Sequence, residues 1–289
     1  MRRWIIGLAC AALLAAAGCS FVRLGYNQAP ALAYWWLDRY ADFDAAQAPR
    51  AREALASWFA WHRAEQLPDY VRLLQRAQDE VARPATADQL CSWYDEGRSR
   101  ARTAFEAAVP AIAELAVTLS PAQIEHIEQR QAKVNVEHRE ETLQADPVER
   151  LKALVKRTTE RAEMLYGPLD ASQRERLTAA LRLSPYDAER SYAQRRRNQQ
   201  DAVQILRQAA GTGSAGQPAA QAALAAYAKR LMRPADPEQA RHFEQVVRHN
   251  CGMLAGLHNS STPEQRRRAG DKFGEWIADL RALIAEARR

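Results

Sequence analysis

Cysteine and histidine have the widest chemical reach of the residue types here, as metal ligands, nucleophiles or proton carriers, and the chain holds four and six of them. The histidines are His62, His126, His138, His242, His249 and His258. Zinc or di-iron chemistry on helices needs paired ligands, as in H-E-x-x-H or in E-x-x-H on two helices, and neither pattern occurs. His242 and His249 share a helical face near Cys251, but no carboxylate pair at a fitting spacing completes a ligand set. His62 with Glu65, and His138 with Glu141, read as surface pairs one turn apart. Gly211-Thr212-Gly213-Ser214-Ala215-Gly216 spells the G-x-G-x-x-G of a dinucleotide site, but an Ala-rich helical stretch precedes it where a strand is required. The sequence contains no G-x-S-x-G elbow and no P-loop. Neighbouring carboxylates such as Glu140 and Glu141 diverge on a helix and suit a solvated face better than acid–base work. These residues predict no catalytic group, no metal and no cofactor, and so a chain that is not an enzyme.

The elements around them read as helix after helix. Ala, Leu, Arg, Glu and Gln dominate, β-branched residues are scarce and no alternating strand pattern appears. Helix starts share one template, in Asp44-Ala-Ala-Gln47, Thr86-Ala-Asp-Gln89, Ser120-Pro-Ala-Gln123, Asp146-Pro-Val-Glu149, Asp170-Ala-Ser-Gln173, Asp236-Pro-Glu-Gln239 and Thr262-Pro-Glu-Gln265. The first oxygen accepts from a free N–H of the first turn, and the Gln or Glu three residues on reaches back to the cap's own N–H. Ser184-Pro185-Tyr186-Asp187 is a weaker eighth start. The spacing predicts helices over 30–41, 45–66, 68–83, 87–117, 121–144, 147–166, 171–182, 185–209, 218–232, 237–257 and 263–287, with Pro110 kinking or dividing the fourth. The expected fold is all-α, an elongated bundle of about ten helices. It divides into a helical body over 30–210, a flexible linker over 211–217, and C-terminal helices over 218–289 packed on the body.

The first residues read as an export signal. Arg2 and Arg3 precede an apolar run over 4–17, and small residues lead up to Cys19. Leu13-Leu14-Ala15-Ala16-Ala17-Gly18-Cys19 resembles the lipobox of bacterial lipoproteins, with Ala16 where Leu is usual. The resemblance implies that residues 1–18 are cleaved and that Cys19 is acylated, as with palmitate, to become the N-terminus. Ser20, where Asp would signal retention in the inner membrane, implies the outer membrane, periplasmic face. Residues 19–29 would then be the lipidated cysteine and a short tether. The mature chain would keep 271 of the 289 residues, and losing Arg2 and Arg3 takes the formal charge from +6 to +4. That excess does not indicate nucleic acid, and export excludes it as a partner. With Cys10 removed and Cys19 acylated, Cys91 and Cys251 remain. An oxidising compartment suggests that they form one disulfide; the alternative is two buried free thiols.

Five of the seven tryptophans precede residue 62. Trp35, Trp36 and Tyr40 share a side of one helix, and Trp58 and Trp61 sit on the next. They fit a mutually packed core, an interfacial belt beside the lipid anchor, or an apolar groove for a client. The block YNQAPALAYWWLDRYADFDAAQ after a lipobox resembles the signature of an uncharacterised proteobacterial lipoprotein family, a likeness that extends to length and helical pattern over nearly the whole chain. It brings no catalytic residues. Leu119-Ser-Pro-Ala-Gln123, Leu169-Asp-Ala-Ser-Gln173 and Thr262-Pro-Glu-Gln265 are similar to the LTxxQ motif of Spy- and CpxP-type periplasmic proteins, although capping boxes explain the same letters. The expected role is non-enzymatic binding: a chaperone-like or envelope interaction module, anchored in the membrane by its N-terminal lipid, whose partners are envelope proteins or unfolded clients. The alternatives are a scaffold for one dedicated envelope partner and a helical cell-wall hydrolase.

Overall fold

The computed structural model describes residues 21–286. Among them, helices follow one another as α1 (Phe21–Ala41), α2 (Gln47–Trp61), a π-helical turn (His62–Gln66), α3 (Leu67–Glu80), α4 (Ala87–Ala116), α5 (Pro121–Thr142), α6 (Pro147–Tyr166), α7 (Ala171–Arg182), α8 (Ala188–Ala209), α9 (Gly213–Met232), α10 (Pro237–Asn259) and α11 (Pro263–Glu286). The fold is all-α.

The caps place most of these starts. Complete boxes form at Thr86–Gln89, Ser120–Gln123 and Asp170–Gln173. Asp44 and Gln47 exchange the same two bonds, as do Thr262 and Gln265. Asp146 and Asp236 cap with the side chain alone. The expected start at Ser184 moves to Asp187, whose carboxylate accepts from the Arg190 N–H.

Four of the box glutamines are buried, and they meet in pairs. Gln47 Nε2 donates to the Thr118 carbonyl at 2.9 Å, and Gln123 Nε2 donates to the Asp42 carbonyl at 2.8 Å and to Gln47 Oε1 at 2.6 Å. Gln173 Nε2 donates to the Ser260 carbonyl at 3.0 Å and to Gln265 Oε1 at 2.7 Å, while Gln265 Nε2 donates to the Pro168 carbonyl at 2.9 Å. Each amide therefore caps its own helix with its oxygen and clasps a second helix start with its nitrogen. The carbonyl it reaches lies two residues before the partner's cap in all four cases. Asp42 takes positive φ to end α1 there, a conformation that a short polar side chain tolerates. One clasp joins α2 to α5 and the other joins α7 to α11.

Several boundaries differ from the sequence expectation. Helix α1 begins at Phe21 and carries Pro30 in its interior, so most of the expected tether is helix. Its first turns are held by Tyr26, whose hydroxyl lies 2.8 Å from His62 Nδ1, and by Arg23 and Asn27, which both bond Glu286 of α11. The expected break before Pro68 is a π turn, in which the Leu67 N–H bonds back to His62 and the helix runs on. Pro110 does not divide α4. Residues 213–217, expected to be linker, are the first turn of α9, leaving Ala210, Gly211 and Thr212 as the connection. Gly211 takes positive φ and donates to the Val117 carbonyl, which ties this turn to the end of α4.

Core side chains gather in separate groups. Val109, Ala113 and Ala116 of α4 and Val117 just after it meet Ile205, Ala209, Ala220 and Leu224 of α8 and α9. Leu119, Ile124, Ile127 and Val203 join α5 to α8. Leu169, Leu177, Leu181 and Leu257 join α7 to α10, with Leu151, Leu154 and Val155 of α6 half-buried against them. Helix α4 packs on α10, α10 on α7, α7 on α6, α6 on α11 and α11 most extensively on α3, which the turn at 81–86 returns to α4. These helices close a ring.

Candidate functional site

The ring frames a half-open cavity of about 1100 Å³. Leu73, Leu74 and Ala77 of α3, Leu90 and Trp93 of α4, and Met253, Leu254 and Leu257 of α10 form its apolar wall. Helix α6 closes it opposite with Leu154, Ala162, Leu165 and Tyr166. No residue of α6 is fully buried: Leu154, Ala162 and Tyr166 pack against the Leu169, Leu177, Leu181 and Leu257 core and also border this space. Arg83, Arg157 and Arg161 also line the cavity, with Glu80 as the only lining carboxylate among the described residues.

A polar lock closes one end. His258 is buried, and its Nε2 lies 2.7 Å from the Arg83 carbonyl. A carbonyl only accepts, so Nε2 carries the proton and Nδ1 accepts from the Tyr166 hydroxyl at 2.8 Å. Burial pushes the Tyr166 phenol up to about 12, so it stays a donor throughout the physiological range. The lock joins α6, α10 and the turn between α3 and α4. Just beyond it, Gly167 ends α6 at φ 74° and ψ −170°, a conformation that is essentially glycine's alone.

The disulfide cysteines come together. Cys91 of α4 and Cys251 of α10 place their sulfurs 2.15 Å apart, with Cα atoms at 5.4 Å, across 160 residues of sequence. Their neighbours Leu90 and Asn250 line the cavity, so the bridge staples two of its walls.

The aromatic residues divide. Trp58 packs within the fold, with its indole N–H donating to the Ala104 carbonyl at 2.9 Å and its ring stacked on His62 at 4.9 Å. Trp61 is half-buried beside it at 6.1 Å. Trp35 and Trp36, which could have joined that core, are instead 57% and 55% exposed. They lie with exposed Leu24, Leu32 and Arg39 along one side of α1, away from α2, α5 and α11. Tyr40 packs on Trp36 with the rings tilted at 42° and centroids 4.7 Å apart, and the Arg39 guanidinium covers Trp35 at 4.7 Å. Cys19, the expected lipidation site, lies outside the described residues, two positions before α1 begins.

The remaining histidines do not assemble. His249 Nε2 bonds the Ala180 carbonyl, and His138 stacks on Tyr192. No group of three or more His, Cys, Asp or Glu side chains forms a metal-like cluster among the described residues. No described helix is long and apolar enough to cross a membrane. Sequence reasoning missed the cavity. The signal was present in α6, whose Leu151, Leu154, Thr158, Ala162 and Leu165 make a stripe at helical spacing, but periodicity does not say what a stripe faces.

Comparison with known families places the chain. Residues 39–216 match one family over more than half of the sequence. The chain belongs to DUF6279, a family of unknown function. The DUF6279 span runs from the last residues of α1 into the start of α9. It takes in the Gln47–Gln123 clasp and the α3, α4 and α6 walls, and leaves out Trp35, Trp36, α10 and α11. The match is therefore shorter than the nearly whole-chain likeness expected from the sequence. No curated protein and no solved structure matches the chain.

Proposed function

We propose that this DUF6279 protein is a lipid-anchored binding protein of the outer membrane, facing the periplasm, and not an enzyme. The exposed apolar side of α1 carries the reading. Exposed apolar patches that gather on one side of an element mark interaction surfaces, and this one starts directly after the expected acylated Cys19. Acyl chains on Cys19 would bring α1 to the bilayer, where Leu24, Leu32, Trp35 and Trp36 suit the interface and Arg39 suits its anionic head groups. The helical body then stands at the membrane surface as an envelope interaction module. A cell-wall hydrolase is less well supported, since the cavity offers one carboxylate, Glu80, where glycoside hydrolysis uses two.

Vesicle flotation tests this. The whole mature chain carrying Cys19→Ala is mixed with vesicles of phosphatidylethanolamine and phosphatidylglycerol. It should retain weak, salt-sensitive association, which Trp35→Ala with Trp36→Ala removes. Association unchanged by the double substitution would overturn α1 as the membrane surface. Suppression of light scattering by an unfolding client would then test the chaperone-like form of the reading.

A further inference from the structure

We infer that the ring cavity binds a single-chain anionic amphiphile, one acyl chain with a carboxylate or phosphate head. The inference rests on the binding reading above, but on none of the α1 surface. Protein interiors pack as densely as organic crystals and leave few voids larger than a water molecule. A half-open space of about 1100 Å³ walled by Leu73, Leu74, Trp93, Leu154, Leu165 and Met253 is left unfilled by that packing and is as large as ligand pockets become. Its lining runs along α6 from Leu154 to Tyr166, about 18 Å of helix, which gives a long apolar slot.

The wall chemistry selects the occupant. A peptide would carry backbone N–H and C=O groups past Leu, Trp and Met side chains that cannot pair them, whereas an acyl chain carries none. The charge selects the head group. Arg157 and Arg161, one turn apart on α6, share a face, and Arg83 borders the same space from the turn after α3. None of the three is in an ion pair with a carboxylate among the described residues, and Arg157 is engaged only by the Glu141 carbonyl. Three guanidinium groups against the single carboxylate of Glu80 favour an anion, and guanidinium geometry suits carboxylate and phosphate alike.

The test uses the whole mature chain with Cys19→Ala, so that no acyl group of its own competes, in detergent-free buffer. Dansylated undecanoic acid is the fluorescent probe, and palmitate, lysophosphatidylglycerol and uncharged hexadecanol are the competitors. Saturable probe binding at one site per chain is expected, displaced by an anionic competitor and roughly tenfold less well by hexadecanol. Displacement by palmitate alone identifies a free fatty acid as the source, and displacement by the lysolipid alone identifies a phospholipid product. Arg157→Gln with Arg161→Gln should weaken probe binding by roughly tenfold with the melting curve unchanged. Ala162→Trp, which fills the slot, should abolish it. If Ala162→Trp does not fold, the arginine pair decides alone. Failure of both anionic competitors, equal displacement by hexadecanol, or binding indifferent to the arginine substitutions would overturn the inference. Vesicle flotation would stand unaffected by any of these results.

Discussion

Gln173 shows how much one polar side chain does here. It is 2% exposed, its oxygen accepts from the Asp170 N–H, and its nitrogen donates to Ser260 and Gln265. The cap explains the oxygen and the clasp explains the nitrogen, so Leu169 in the core, Asp170 at the cap and Gln173 in the clasp each have a physical purpose inside the fold. Gln173→Ala should lower stability by about 2–4 kcal/mol, since it strands buried partners on both helices. A chemical denaturation curve followed by circular dichroism measures this. A loss below 1 kcal/mol, the ordinary value of a cap alone, would show that the clasp contributes nothing. The cap was legible in the sequence because it is a local pattern. The clasp was not, because its partner stands 92 residues away.

At the scale of elements, two devices hold helices in place. The first is the Cys91–Cys251 bridge between α4 and α10. A loop of 160 residues lies near the upper end of the chain-entropy effect, so replacing both cysteines with serine should lower stability by about 2–5 kcal/mol. Urea midpoints of the oxidised protein and the double variant check it. The second is the aromatic seam between α1 and the π turn. Burial lowers the pKa of His62, whose Nδ1 faces the Tyr26 hydroxyl, and it lowers that of His138 on α5 in the same direction. In each case the folded state refuses a proton that the unfolded chain accepts from about pH 6.5 downward. The stability these groups contribute is complete above that pH and is lost as the pH falls through it. Melting temperature should therefore drop between about pH 7.5 and 5.5, and His62→Gln should flatten the drop. Glu163 and Glu286, whose pKa values are lowered chiefly by Arg174 and Arg23, act further toward acid and do not produce that slope.

Across the whole molecule, the ring of α3, α4, α10, α7, α6 and α11 frames the cavity, while α1 stands outside it with an exposed apolar side. The two surfaces separate stability from binding. Trp35→Ala with Trp36→Ala should change unfolding free energy by no more than about 0.5 kcal/mol per site, because neither ring is in the core. A pair of buried tryptophans would instead cost about 3–5 kcal/mol each. A thermal melt of the double variant decides between these directly. Unchanged melting together with lost vesicle association would assign the pair to binding.

The sequence by itself determined what local physics controls. Helical periodicity and caps defined the all-α class and most boundaries, with α6 and α7 starting and ending at the residues expected. Cysteine arithmetic, once the lipobox resemblance had removed Cys10 and Cys19, left the one pair that the fold brings together. Where local and long-range terms compete, tertiary structure decided. Residues 21–29 look like a tether ahead of Pro30, yet bonds from Arg23, Tyr26 and Asn27 to α11 and the π turn hold them as helix. Residues 213–217 have linker composition, yet α9 is seated on α4 and α8, and helix propensity is too weak a term to oppose that packing. The same amphipathic spacing serves a fully packed helix and one that packs in part and borders an open cavity. Only the positions of α3, α4 and α10 opposite α6 turned its apolar stripe into the wall of a cavity.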